Sequence, residues 1–251
     1  MAGVFQGELT ELTSSVYLAS EPVSFLGLRL TATMTVVCLP GSELLVHSPI
    51  PLSERRRAAV EALGTVTHLY APNTFHHSWI GEWSQAFPEA RVHAPRALAK
   101  KRPDLRIDRA HDRDALGPLV ESLDEIHIDG FLLEESVLLH RASGALIVAD
   151  LVHNVGRPPH AWTKLYCRAM GFYDRVAISR MLRWTAFHDT KRAKDSIERL
   201  AACTFEHLVV GHGAPVSGGA RAALLAAYAW LEQSQRPRLP AAPTPRGGYC
   251  G

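Results

Sequence analysis

Apolar positions along this chain fall into short β-branched runs separated by stretches of helical period, which is the pattern of an α/β protein. Residues 28–39, LRLTATMTVVCL, read as a strand; Pro40-Gly41-Ser42 turns the chain, and residues 43–47 return as a second strand of a hairpin. Ser48-Pro49-Ile50-Pro51 stops that strand, because proline removes a ladder donor. Ser53 suits the cap of a helix through Leu63, which Gly64 ends. Residues 66–70 form a buried strand, and Ile80, Trp83 and Phe87 recur at helical spacing behind it. Residues 91–94 are a short strand, and 95–119 are charged with weak period, suited to short helices and loops. Three strands follow at 126–128, 136–140 and 145–149, the last two joined by the turn at 141–144. Residues 158–184 are helical in composition, with Trp162, Leu165, Tyr166 and Met170 as an inward stripe. A helix capped at Thr190, or at Asp189 just before it, runs to Ala201, a last strand covers 205–210, and a helix over 218–233 turns Leu224, Leu225, Tyr228 and Leu231 inward.

Composition narrows the class. With 251 residues, 47% of them hydrophobic, the chain can bury one substantial core, so residues 1–235 are expected to form one domain. From Arg236 onward prolines and glycines leave too little apolar surface to offset ordering entropy, so 236–251 is expected to be a disordered tail. A formal net charge of +2 argues against a nucleic-acid or membrane-surface footprint. The four cysteines, Cys38, Cys167, Cys203 and Cys250, make no CxxC and no disulfide framework. No signal pattern and no membrane-length apolar segment is present, and the expected location is the cytoplasm. The expected partner is a small-molecule substrate, with no nucleic acid and no membrane; oligomeric state is left open.

Candidate chemistry collects at the ends of strands. His76-His77 follow the strand at 66–70 on a loop ahead of a helix N-terminus, whose partial positive charge disfavours imidazolium. Asp150 ends the strand at 145–149, and His212 follows the strand at 205–210 between two glycines. Separated strands of an α/β sheet can bring such residues into one cleft. Imidazole with carboxylate suits zinc, iron(II) or manganese. His47, His153 and His188 lie near these segments, where an ordinary structural role is the simpler reading. Ser48 lacks a GxSxG context and is not expected to be a nucleophile.

This order of elements resembles the metallo-β-lactamase superfamily, and in particular an uncharacterised branch of it. The pieces that carry the resemblance are residues 34–37, 45–50, Ala71-Pro72-Asn73 with His76-His77, 146–151 ending in Asp150-Leu151, and Gly211-His212-Gly213. It covers roughly residues 16–233 and implies an αββα sandwich. The superfamily motif HxHxDH is degenerate here: with its last His at His77, His76 takes the place of its Asp, Thr74 and Pro72 the places of its first two histidines, and Leu132 or a neighbour stands where a further His is usual. The first metal site has thus lost its ligands. The resemblance implies one divalent metal, zinc first and iron or manganese next, at the second-site position on His76, His77, Asp150 and His212. Asp150 and His76 are the candidates for the catalytic role, with a metal-bound water attacking an ester, lactone or amide-type small substrate. The alternatives are an inactive binding or scaffold member of the fold and an iron-dependent redox enzyme.

Overall fold

The computed structural model describes residues 9–110 and 122–234. The tail expected at 236–251 and part of the charged 95–119 segment lie outside these residues. Two sheets stack face to face. One contains, in order, β1 (Thr10–Thr13), β2 (Val16–Phe25), β3 (Leu28–Leu39), β4 (Glu43–His47), β5 (Thr65–Tyr70), β6 (Arg91–Ala94) and β7 (Arg109–Ala110). The other runs β12-β11-β10-β9-β8, from β8 (Leu123–His127), β9 (Ser136–His140), β10 (Ala145–Ile147), β11 (His207–Val209) and β12 (Val216–Ser217).

Helices cover both outer faces. On the first sheet Val60 of α1 (Glu54–Glu61), Ile80 and Trp83 of α2 (Ile80–Ala86) and Leu98 of α3 (Leu98–Lys101) pack against Leu44, Val46 and Leu69. On the second, Ile197 and Leu200 of α6 (Thr190–Ala202), Leu224 and Tyr228 of α7 (Ala220–Tyr228) and Leu231 of α8 (Trp230–Ser234) pack against Leu139, Leu146 and Leu208. Between the sheets lie Val37, Leu45 and Tyr70 from one side and Leu138, Ile147 and Val209 from the other. This is the αββα sandwich. The period of two explains why β4 reads as continuously apolar: Leu44 and Val46 face the helices while Leu45 faces the other sheet.

Local signals act as expected at several boundaries. The Ser53 hydroxyl accepts from Arg56 N at 3.1 Å and starts α1. Of the two candidate caps it is Asp189 that starts α6, by accepting from Lys191 N and Arg192 N. Two differences stand out. Residues 16–25 form a long strand, hidden in the sequence by Pro22. β1 pairs only with the first part of β2, so Pro22 lies where β2 is an edge and no ladder needs its missing N–H. Leu26 and Gly27 at the β2–β3 turn both take positive φ, 49° and 77°, which matches the right-handed twist of the ribbon.

The second difference concerns α4 (Ala161–Met170). Its buried residues are Thr163 and Cys167, while Trp162 and Leu165 of the expected inward stripe are exposed. The helix docks on the end of β3 through a polar contact, Arg29 N donating to the Thr163 hydroxyl at 2.9 Å, so its narrow side faces in. Among the described residues no helix is long and apolar enough to cross a membrane.

Trp83 is fully buried and its indole N–H donates to Ile50 O at 2.7 Å. Trp83→Ala should cost about 3–5 kcal/mol of unfolding free energy, read as a lowered urea midpoint.

Candidate metal centre

Three of the four expected ligands meet. His76 follows β5, Asp150 lies just past β10 and His212 just past β11, and one ligand atom from each lies within 4.8 Å of the others. His76 Nε2 is 3.2 Å from His212 Nε2 and 3.5 Å from Asp150 Oδ2, and His212 Nε2 is 3.6 Å from Asp150 Oδ1. Two nitrogens held ~2.0–2.1 Å from a tetrahedral zinc lie about 3.3 Å apart, so the spacing fits a shared ion. The outer ring nitrogens are also occupied as a ligand set requires. His212 Nδ1 donates to Thr31 O at 2.7 Å, which leaves the Nε2 lone pair facing the centre. His76 Nδ1 lies 2.7 Å from the Ser48 hydroxyl. Ser48 takes a φ of 51°, uncommon for a residue with a Cβ, in the bend that ends β4.

His77 does not join them. The Asn73 side-chain oxygen Oδ1 accepts from Phe75 N and His76 N, each at 2.8 Å, and this tight turn points His76 into the centre. His77 is directed elsewhere, with Nδ1 3.4 Å from Arg102 Nη1 beyond α3. The set expected from sequence therefore loses His77 and keeps His76, Asp150 and His212.

The centre rests on two residues that sequence reasoning assigned no role. Asn73 Nδ2 donates to Asp150 Oδ2 at 2.9 Å and to Glu135 Oε2 at 3.0 Å. Glu135 has no solvent exposure, and its carboxylate also accepts from the backbone N–H groups of Ala149, Asp150 and Leu151 at 2.9, 2.8 and 3.2 Å. It thereby fixes the chain where β10 ends and Asp150 begins. Asn73 stands among the residues that carry the family resemblance, without a role of its own, and nothing local marks Glu135.

Charges oppose one another strongly here. Burial, with the charge of Asp150, pushes the Glu135 carboxyl up to about 7 against its four donors. Burial would raise Asp150 too, but His76 and His212 outweigh it and hold this carboxyl well below the usual range. Burial works to lower His76, yet Asp150 and then Glu135 raise it, contrary to the neutral imidazole expected near a helix start. His77 is lowered, by burial and then by Lys101 and Arg102. His153 is pushed down to about 4 by burial and then by His212; its ring packs edge-on against Phe172 and 5.6 Å from that of His212.

His47 stacks on Tyr70, and the His188 backbone N–H donates to Gly130 O at 3.1 Å.

The fold is that of the metallo-β-lactamases. The chain superposes on DIM-1 metallo-β-lactamase exposed to ceftazidime with a TM-score of 0.64 at 12% identity, covering 93% of this chain and 100% of that one. It matches a metallo-β-lactamase from Pontibacter korlensis with a TM-score of 0.61 at 14% identity, over 90% and 98% of the two chains. It matches FIM-1 from Pseudomonas aeruginosa, solved in a mono-zinc form, with a TM-score of 0.62 at 11% identity, over 92% and 98%. No protein-family model and no curated protein matches the sequence.

Two predictions follow from this geometry. A Cβ at Gly211 would lie 2.8 Å from both His76 Cε1 and Ala149 O, so Gly211→Ala should push the His76 ring aside. Metal affinity should fall at least tenfold in calorimetric titration while the circular dichroism spectrum persists. The second concerns pH. A histidine whose folded pKa lies below its unfolded value adds stability above that unfolded value and loses it as pH falls. His153 should thus cost the metal-free protein up to about 3 kcal/mol between pH 6.5 and 4. Glu135, raised, acts in the opposite sense between about 4.5 and 7, so the test is a difference: urea unfolding of His153→Leu should lose less stability on acidification than the parent.

Proposed function

We propose that the protein is a metal-dependent hydrolase that holds one divalent ion, zinc first, between His76, Asp150 and His212 and cleaves an ester, lactone or amide-type small molecule. The observation that carries this reading is the convergence of two imidazole nitrogens and a carboxylate at ligand spacing, at the floor of a cleft of about 940 Å³. The hydrolase-like activity is supported by the likeness to metallo-β-lactamases, one of them solved with a single zinc. A bound ion supplies Lewis acidity and a water acidic enough to act as a nucleophile near neutral pH.

The chain's own groups do the rest. Asp150 Oδ2 is held by Asn73, while Oδ1 is turned toward His212, so Oδ1 is the carboxylate atom that would face the ion. His76 and His212 hold the ion, each oriented from behind by Ser48 and by Thr31 O. His153 presents a neutral ring to the same cleft, available to donate to oxygen as negative charge develops there.

Protein reconstituted with zinc, iron or manganese under anaerobic conditions should hold about one ion per chain by elemental analysis, and His76→Ala or His212→Ala should abolish this. His77→Ala should not. Affinity should fall as pH drops through the raised His76 value, because protons then compete for its lone pair. Protein that stays metal-free after reconstitution would overturn the reading in favour of an inactive binding member of the fold.

A further inference from the structure

We infer that the substrate is an uncharged acyl compound whose bulk is hydrocarbon, with the scissile carbonyl as its one strongly polar group. This deepens the hydrolase reading of the same cleft and rests on it for the scissile bond.

The cleft walls carry the argument. Leu26, Leu28 and Leu30 of the β2–β3 hairpin form one side; Phe172, Met181 and Leu182, beyond the end of α4, form another. α5 (Arg180–Thr185) supplies the last two of these. Among the described residues the lining contains no lysine, arginine or glutamate, and its only carboxylate is Asp150 at the floor. Apart from the Tyr166 phenol, its titratable groups are His76, Asp150, His153 and His212, all in or beside the metal centre. Lys101 lies over the Phe75 ring at 4.9 Å, but its ammonium donates to Thr74 O and is not part of the lining. Away from the metal centre, a carboxylate or phosphate on the substrate would therefore give up its water and meet no lysine or arginine in return, a cost of several kcal/mol.

The apolar character continues to the mouth. Five large hydrophobic side chains of the lining, Phe25, Leu26, Phe75, Leu132 and Met181, are each more than a third exposed. Leu26 is 78% exposed and held in the left-handed region at the hairpin tip, where its carbonyl accepts from the Trp162 indole at 3.3 Å. A bulky apolar residue kept in water at a strained turn makes physical sense if it is covered when the cleft fills.

The test separates this inference from the hydrolase reading by using metal-free protein. Calorimetry is run with N-methyl alkanamides of four to ten carbons and with an eight-carbon amide bearing a terminal carboxylate. Affinity should rise about two- to fourfold per methylene, the upper figure corresponding to ~0.8 kcal/mol per buried CH₂, and the carboxylate should bind at least tenfold more weakly than its neutral counterpart. Leu132→Lys, at an exposed position of the lining, should weaken the neutral eight-carbon ligand at least fivefold; Leu165→Lys, exposed but off the lining, should not. Affinity independent of chain length, tighter binding of the carboxylate, or equal effects of the two variants would each overturn the inference. Chain-length-dependent binding in a protein that takes up no metal and cleaves no ester would support it and overturn the hydrolase reading instead.

Discussion

The site depends on one buried contact: the Asn73 side-chain amide lying between the carboxylates of Glu135 and Asp150. Two buried carboxylates cannot both stay charged near each other unless donors stand between and around them. Asn73 supplies the shared donor, three backbone N–H groups hold Glu135, and two imidazoles face Asp150. The same amide, through its oxygen, shapes the turn that aims His76. One side chain thus sets both the charge and the direction of the centre. Loss of it would leave a buried carboxylate short of a partner, which is costlier than loss of a bond alone.

Much of the framework was legible in the sequence because strands with both faces covered must be apolar. β3, β4, β5 and β9 show this directly, and the residues beyond the strand ends were where chemistry was expected. Asp150 and His212 were found on that reasoning. The choice between His76 and His77 was not legible, since neighbouring residues on a turn diverge and only the Asn73 contact decides which enters. Glu135 was illegible for another reason: its partners, Ala149 to Leu151, belong to the end of a different strand, and a contact across the fold leaves no mark in local pattern.

The α4 helix is an instructive failure of amphipathic reasoning. Trp162 and Leu165 have the spacing of a buried stripe, yet the helix packs through Thr163 and Cys167. Periodicity identifies which residues share a face; it does not say whether protein or a ligand will cover that face. The same holds for the hairpin tip, where Leu26 has the composition of core and the exposure of surface.

β10 and β11 pair in parallel with Ile147 opposite Val209, and Asp150 and His212 each stand three residues beyond that pair. Their separation is therefore a ladder spacing, inherited from register. Parallel neighbours need a crossover, and here it comprises everything from α4 to α6. Closing so long a loop is entropically slow and comes after local hairpins have formed. An ion held there would therefore tie the two ends of that crossover together, and would stabilise only the chain in which the β10–β11 pair is in register.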